Sequence, residues 1–202
     1  ALFMALKDYN GGCEWLKWAK DVKLRDEKVL VYYRRLLHQD IEFWKFLQYK
    51  FFEQWEALRA YANERGILLI GDMPIYAALD SADVWVYHKF FQLDKDRVPK
   101  KVAGVPPDAF SADGQLWGNP LYDWDALEND DFSWWRKRIA CAAALYDAVR
   151  IDHFIGIVRY FAVPFGDTTA KNGEFHWGPG EKLIKALKEE VGNTKIIAED
   201  LG

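Results

Sequence analysis

The residues most able to do chemistry in this chain sit at the ends of short apolar runs. Ala148–Ile151 runs into Asp152, with His153 next and Arg150 two positions before the acid. Side chains alternate along an extended strand, so Arg150 and Asp152 share a side. A guanidinium beside a carboxylate favours its ionised form and lowers its pKa, which suits a nucleophile. The same pair also fits an ion pair with a purely structural role. Thr194–Ala198 runs into Glu199-Asp200. Neighbouring strands lie about 4.8 Å apart, so acids at adjacent strand ends can approach within roughly 5–5.5 Å, the separation a retaining glycoside mechanism uses. One acid then attacks the anomeric carbon while the other serves as general acid and later as base. Glu199 and Asp200 point to opposite faces of a regular strand, so only one of them can be the partner. Spacing does not choose between them. Ile67–Ile70 leads into Gly71-Asp72, and Asp72 can bind a hydroxyl, orient Arg150, or simply open a turn before Pro74.

Between these runs lies GVPPDAFSADGQLWGNPLY, residues 104–122. Its glycines and prolines fix an irregular backbone, while Asp108, Gln115, Trp117 and Asn119 offer hydrogen bonds and a ring face. That is the material of a carbohydrate-binding lid, and equally of a rigid surface turn. His38, His88 and His176 stand alone, and no His/Cys/carboxylate cluster has zinc spacing. No serine nucleophile elbow or phosphate-binding loop is present. Neither a metal nor a cofactor is expected.

These acids need rigid elements to hold them. Trp44, Leu47, Phe51, Trp55, Leu58 and Ala62 recur with helical spacing over 41–65, and Gly66 follows as a stop. Ile67–Ile70 is apolar at every position, as in a parallel strand covered on both faces. A second helix is predicted over 131–147, with Phe132, Trp135, Ile139, Ala142 and Leu145 inward and Asp130 or Asp131 as its cap. A third spans 180–190, with Leu183, Ile184 and Leu187 inward and Gly192 at its end. Helices alternating with buried strands argue a parallel sheet, and acids repeated at strand C-termini are the pattern of a TIM-barrel active site. No Gly-x-Gly-x-x-Gly follows a strand, which argues against a dinucleotide fold. The fold class is therefore α/β, a partial (β/α)8 barrel with a helical insertion and long loops. Residues 1–40, helical but broken at Asn10-Gly11-Gly12, form the insertion. Residues 41–202 form the core, with a substrate loop over 72–130 that is long enough to carry function or structure of its own.

The 202 residues carry 27 basic and 31 acidic groups in a well-mixed pattern, with formal net charge −4. No long basic run suggests nucleic acid or an anionic membrane as a partner, and no apolar run is long enough to span a bilayer. Two cysteines without metal spacing read as free thiols, and no leader is visible; the expected location is cytoplasmic. The sequence opens on Ala and already reads as helix, which suggests a longer parent chain. Ten Trp, ten Tyr and thirteen Phe are more than a core usually needs. Pyranose faces are apolar and stack on indole, so a sugar-binding protein is a natural explanation.

At these residues the chain resembles a known family. ALFMALKDYNGG, FLQYKFFEQW, GDMPIY, SADVW, VAGVPPDAFSADGQLWGNPLYDW, RIDHF and KIIAEDLG occur in that order. Together they are similar to the amylomaltases and plant disproportionating enzymes, the 4-α-glucanotransferases of glycoside hydrolase family 77. The resemblance covers nearly the whole chain. It implies a TIM barrel with inserted subdomains, Asp152 as nucleophile and Glu199, rather than Asp200, as general acid/base. It implies Asp200, Asp108 and Trp117 as substrate contacts and Arg150 as a contact of the nucleophile; with His153, Asp72, Tyr76 and Asn119 these are the expected substrate-binding residues. The substrates would be α-1,4-glucan donors and acceptors, maltooligosaccharides among them. The family's third carboxylate would fall beyond Gly202. Ala109 stands where members often carry Tyr, and Ile155 where many carry Arg. Two other outcomes stay open: an α-glucan hydrolase on the same barrel, or a glucan-binding module without turnover.

Overall fold

The computed structural model describes residues 1–199; Asp200, Leu201 and Gly202 lie outside the described residues. The amino-terminal helices are α1 (Leu2–Tyr9), α2 (Lys20–Lys23), α3 (Glu27–Leu36) and α4 (His38–Asn63). α1 stops where Gly11 and Gly12 take positive φ, the break read from Asn10-Gly11-Gly12. α3 begins where the Asp26 side chain accepts from the amides of Lys28 and Val29. These helices are not packed apart from the rest. Phe3, Leu6, Trp15, Trp18 and Trp85 belong to one buried cluster. Trp15 Nε1 donates to Leu79 O at 2.7 Å, and Trp85 Nε1 donates to Val22 O at 3.2 Å.

The chain continues through β1 (Ile70–Pro74), α5 (Ala82–Val86), β2 (Lys101–Val105), β3 (Gln115–Pro120), α6 (Trp124–Asn129), α7 (Ser133–Leu145), β4 (Ala148–Asp152), β5 (Arg159–Pro164), β6 (Glu174–Trp177), α8 (Glu181–Glu190) and β7 (Lys195–Ala198). β1, β4 and β7 form a three-stranded parallel sheet in that order, and β3-β2-β5-β6 form a second, four-stranded sheet. Each neighbouring pair in the second sheet is antiparallel. This second sheet was not expected. It organises part of the 72–130 loop and pairs it with 159–177, a segment to which the sequence assigned no element.

The parallel sheet has one covered face and one open face. Met73, Val149 and Ile151 are buried, and Ile196 packs against the same core. On the other face Ile70 is exposed, Asp72 and Pro74 likewise. Two sequence expectations are corrected here. The strand occupies Ile70–Pro74 rather than 67–70, so Asp72 lies within it. The run Ile67–Ile70 is also largely exposed, and among the described residues β1 is an edge strand paired with β4. The long helix forms where its spacing predicts, as α4, but its apolar residues are mostly not covered. Leu47, Phe51 and Leu58 of α4 are exposed, and Ala62 is its buried residue.

α7 begins two residues later than predicted, and neither Asp130 nor Asp131 caps its backbone with a side chain. The Asp130 carboxylate takes the Ser133 hydroxyl and Lys89 instead. Phe132, Trp135 and Ile139 are buried as predicted, and so is Trp134. Arg138 on this helix donates to the carbonyls of Pro74 and Ile75, so the end of β1 is tied down by a cation that the periodicity did not single out. α8 buries Leu183 and Leu187. Cys13 and Cys141 are free thiols. No helix of the described residues is long and apolar enough to cross a membrane, and none of their His, Cys, Asp or Glu residues cluster as a metal site.

Candidate active site

Parallel register decides which side chains meet. Asp72 aligns with Arg150, and Pro74 with Asp152. Arg150 aligns with Ile197, and the Glu199 amide donates to Ile151 O at 3.2 Å, continuing the ladder. Aligned residues project to one side and positions alternate along each strand. Asp72 and Arg150 therefore share one layer of the open face, while Asp152 and Glu199 share the next layer toward the strand C-termini.

Arg150 joins both layers. Its Nη1 lies 2.6 and 2.7 Å from the two oxygens of Asp72. Its Nη2 donates to Asp152 Oδ1 at 3.0 Å and to Glu199 Oε1 at 2.8 Å. Two oxygens that share one nitrogen in this way lie closer together than the roughly 6.5–9.5 Å of an inverting pair. The acids expected to face one another do converge at one rim of the sheet. One oxygen of each lies within hydrogen-bond reach of the same guanidinium nitrogen. Glu199 is the more deeply held, with its side chain 15% exposed against 46% for Asp152.

His153 completes the arrangement. Its φ is +52°, a left-handed turn that a β-carbon resists and His tolerates better than most residues. The turn aims its backbone amide at Glu199 Oε2, 2.6 Å away. Its ring packs edge-on to Trp117, with centroids 4.8 Å apart. Burial pushes the imidazole pKa down against the pull of the two acids, which favours the neutral form.

The protonation pattern departs from the sequence expectation. Arg150 was expected to hold Asp152 below the usual carboxylate range. Burial and the adjacent Glu199 instead raise Asp152, and they outweigh Arg150. The His153 amide lowers Glu199, with further help from Asp152 and Arg150. The two carboxyls titrate as an interacting pair, with Asp152 shifted upward and Glu199 downward. Of the two, Asp152 is the more readily protonated, because Glu199 accepts an amide N–H besides the shared guanidinium.

A cleft of ≈ 530 Å³ opens above the pair, and Asp108, Trp117, Asp152, His153 and Glu199 all line it. The remaining predicted residues sit behind this surface. Arg150 lies beneath the acids and Asp72 beneath Arg150. Tyr76 is 7% exposed, its ring stacked on Tyr122 and tilted against Trp117, so it props Trp117 from the core. Asn119 Nδ2 donates to Ala77 O at 3.0 Å, anchoring β3. Asp200 lies outside the described residues. Asp108 faces the cleft, but its Oδ1 also accepts from the amides of Phe110 and Ser111 at 2.8 and 2.7 Å, a side-chain turn that shapes the loop. Gly114 closes this loop at φ +66°, where a Cβ would meet Val105 O at 2.4 Å. Sequence reasoning missed Arg159, Phe161 and Phe175, which also line the cleft. Arg159 and Phe161 alternate along β5, and Phe161 faces Phe175 across the ladder. The apolar run 160–163 after Arg159 was the available signal.

A family model described as 4-alpha-glucanotransferase, of glycoside hydrolase family 77, matches residues 1–202. The chain belongs to this family. It is similar to 4-alpha-glucanotransferases of Clostridium butyricum, 51% identical over 203 residues and all of this chain, and of Thermus thermophilus, 48% identical over 202 residues. It covers 42% and 40% of those relatives, so it spans about two fifths of their length. Among solved structures, an amylomaltase from Streptococcus agalactiae in complex with acarbose superposes on the whole chain with TM-score 0.95 at 44% identity, the chain covering 41% of it. The α/β fold of this family member is thus the amylomaltase arrangement, over the part of it that this chain spans.

Proposed function

We infer that the protein is a 4-α-glucanotransferase acting by retaining double displacement, with Asp152 as nucleophile and Glu199 as general acid/base. The observation that carries this reading is the shared guanidinium: Arg150 Nη2 holds both acids at the floor of a cleft bordered by Trp117, Phe161 and Phe175. β1, β4 and β7 are read as neighbouring strands of a (β/α)8 barrel, which puts the acids at its C-terminal rim. Residues 1–40 are the helical insertion and 72–130 the substrate loop. The location is read as cytoplasmic, and the partners as an α-1,4-glucan donor and acceptor.

Glu199 protonates the glycosidic oxygen as Asp152 attacks the anomeric carbon, and a β-linked glucosyl-enzyme forms as the leaving glucan departs. Glu199, now ionised, takes the proton of an incoming 4-hydroxyl, whose oxygen displaces Asp152 with net retention. The first step needs a proton on Glu199. A sugar entering between the carboxyls separates them and draws Glu199 off the His153 amide, which raises Glu199. Asp152 keeps Arg150 and ionises. Asp72 holds the far side of that guanidinium, Asp108 and Trp117 set the wall against which the glucan lies, and Asn119 anchors β3 behind it. A sugar under the 106–114 loop keeps water from the intermediate and favours transfer over hydrolysis.

Maltotriose supplied to the intact protein tests the reaction. Both longer and shorter oligomers mean transfer, while glucose and maltose alone mean a hydrolase on the same frame. Binding of maltodextrin with no products at all would reduce the protein to a glucan-binding module.

A further inference from the structure

A second cleft, of ≈ 390 Å³, borders the β5–β6 ribbon near its Trp177 end, lined by Gln92, Lys100, Asp123, Asp125, Tyr160 and Trp177 among others. None of these residues lines the catalytic cleft. Trp177 is 80% exposed, an unusual position for an indole in a chain whose other tryptophans are buried or partly packed. The polar groups around it divide into the committed and the uncommitted. Gln92 Nε2 donates to Tyr122 O at 3.0 Å and to the Tyr160 hydroxyl at 3.4 Å, and Asp123 Oδ1 caps α6. The Asp125 carboxylate and the Lys100 ammonium make no side-chain hydrogen bond or ion pair among the described residues. An open indole face between a free acceptor and a free donor suits a neutral, polyhydroxylated ring. Two aspartates repel phosphate and carboxylate ligands, and Lys100 opposes a cation.

The two clefts are joined along one strand. Phe175 borders the catalytic cleft and Trp177, two positions on in β6, borders the second. Two strand residues advance about 6.6 Å, so the rings form a short aromatic track between the sites. We propose that the Trp177 cleft is an accessory subsite for α-1,4-glucan, which holds the length of a long chain that runs out of the catalytic cleft past Phe175. This rests on the glucan reading of the catalytic cleft and adds to it a reason for the protein to favour long chains.

Fluorine NMR of 5-fluorotryptophan-labelled protein tests both clefts at once, because Trp117 reports on one and Trp177 on the other. Trp117→Phe and Trp177→Phe assign the two resonances. Maltoheptaose should shift both, and cellohexaose, with β-linkages, should leave the Trp177 signal in place. Trp177→Ala should weaken maltoheptaose binding about fivefold and leave maltotriose binding unchanged. A Trp117 signal that moves while Trp177 stays still would overturn the accessory subsite and spare the glucan reading. A Trp177 signal that cellohexaose moves equally would overturn its α-1,4 selectivity. If neither signal moves with maltoheptaose, the subsite and the glucan reading fall together.

Discussion

At the residue scale the site is a problem of one cation and three acids. Arg150 spreads over Asp72, Asp152 and Glu199, with the planar fork that makes Arg suited to several carboxylates at once. Lys would keep the charge and lose the fork. Arg150→Lys should lower turnover of maltotriose about tenfold or more, as the acids lose their fixed spacing. The sign on pH is read from Arg150→Ala, which removes the charge: Arg150 favours the ionised form of both acids, so its loss raises both. The acid limb of kcat/KM against pH should therefore move upward, and a profile that stays in place would show that Arg150 has no part in setting these acids. Asp152→Asn and Glu199→Gln should each cut turnover by roughly 10²-fold or more while maltodextrin still binds, measured by product chromatography beside calorimetry. Loss of binding in step with turnover would make them structural groups instead.

At the element scale, one carboxylate ties three segments together. Asp147, just before β4, accepts from Arg59 and Asn63 of α4 and from the Leu69 amide before β1. The Leu69 amide, Asn63 and Arg59 in turn pull its pKa down to about 2. A depressed carboxylate stabilises the fold above its unfolded pKa, and that contribution fades as pH falls through the folded value. Asp147→Asn should thus cost about 1 kcal/mol at pH 7, once screening by nearby water is allowed for. Chemical denaturation should show the gap from wild type closing between pH 4 and 2. β1 is also fixed by close approach: a Cβ at Gly71 would meet the Tyr146 ring at 2.1 Å. Gly71→Ala should destabilise by about 1–3 kcal/mol, the usual range for overpacking, and lower the thermal midpoint.

At the scale of the whole molecule, the apolar surface is unevenly placed. Phe43, Phe46, Phe51, Phe52 and Leu58 of α4 are exposed, as are Ile67, Leu68 and Ile70 at β1. Patches of this kind mark interaction surfaces, and a bare edge strand invites pairing. The 202-residue chain by itself should self-associate with rising concentration in sedimentation velocity, and Phe51→Glu with Leu68→Lys should weaken that association. The aromatic richness that suggested sugar binding is spent mainly inside: Trp15, Trp85 and Trp135 are fully buried, and Trp117 is the tryptophan that borders the catalytic cleft.

Read by itself, the sequence determined what depends on neighbours along the chain. The helices over 133–145 and 181–190 and the strands ending at Asp152 and Ala198 follow from local periodicity and stop signals, and ordered motifs named the family. Tertiary structure decided what depends on distant partners. β2 and β5 pair across more than fifty residues, and their short, Gly- and Pro-interrupted runs carry little periodicity. The apolar run at Ile67–Ile70 revealed hydrophobicity but not whether anything covers it. Parity along a strand placed Arg150 beside Asp152; it took the left-handed turn at His153, which brings an amide to Glu199, to decide which acid of the pair is shifted down and which up. Hydrogen-bond donors from separate segments set that balance, and no local pattern encodes where they meet.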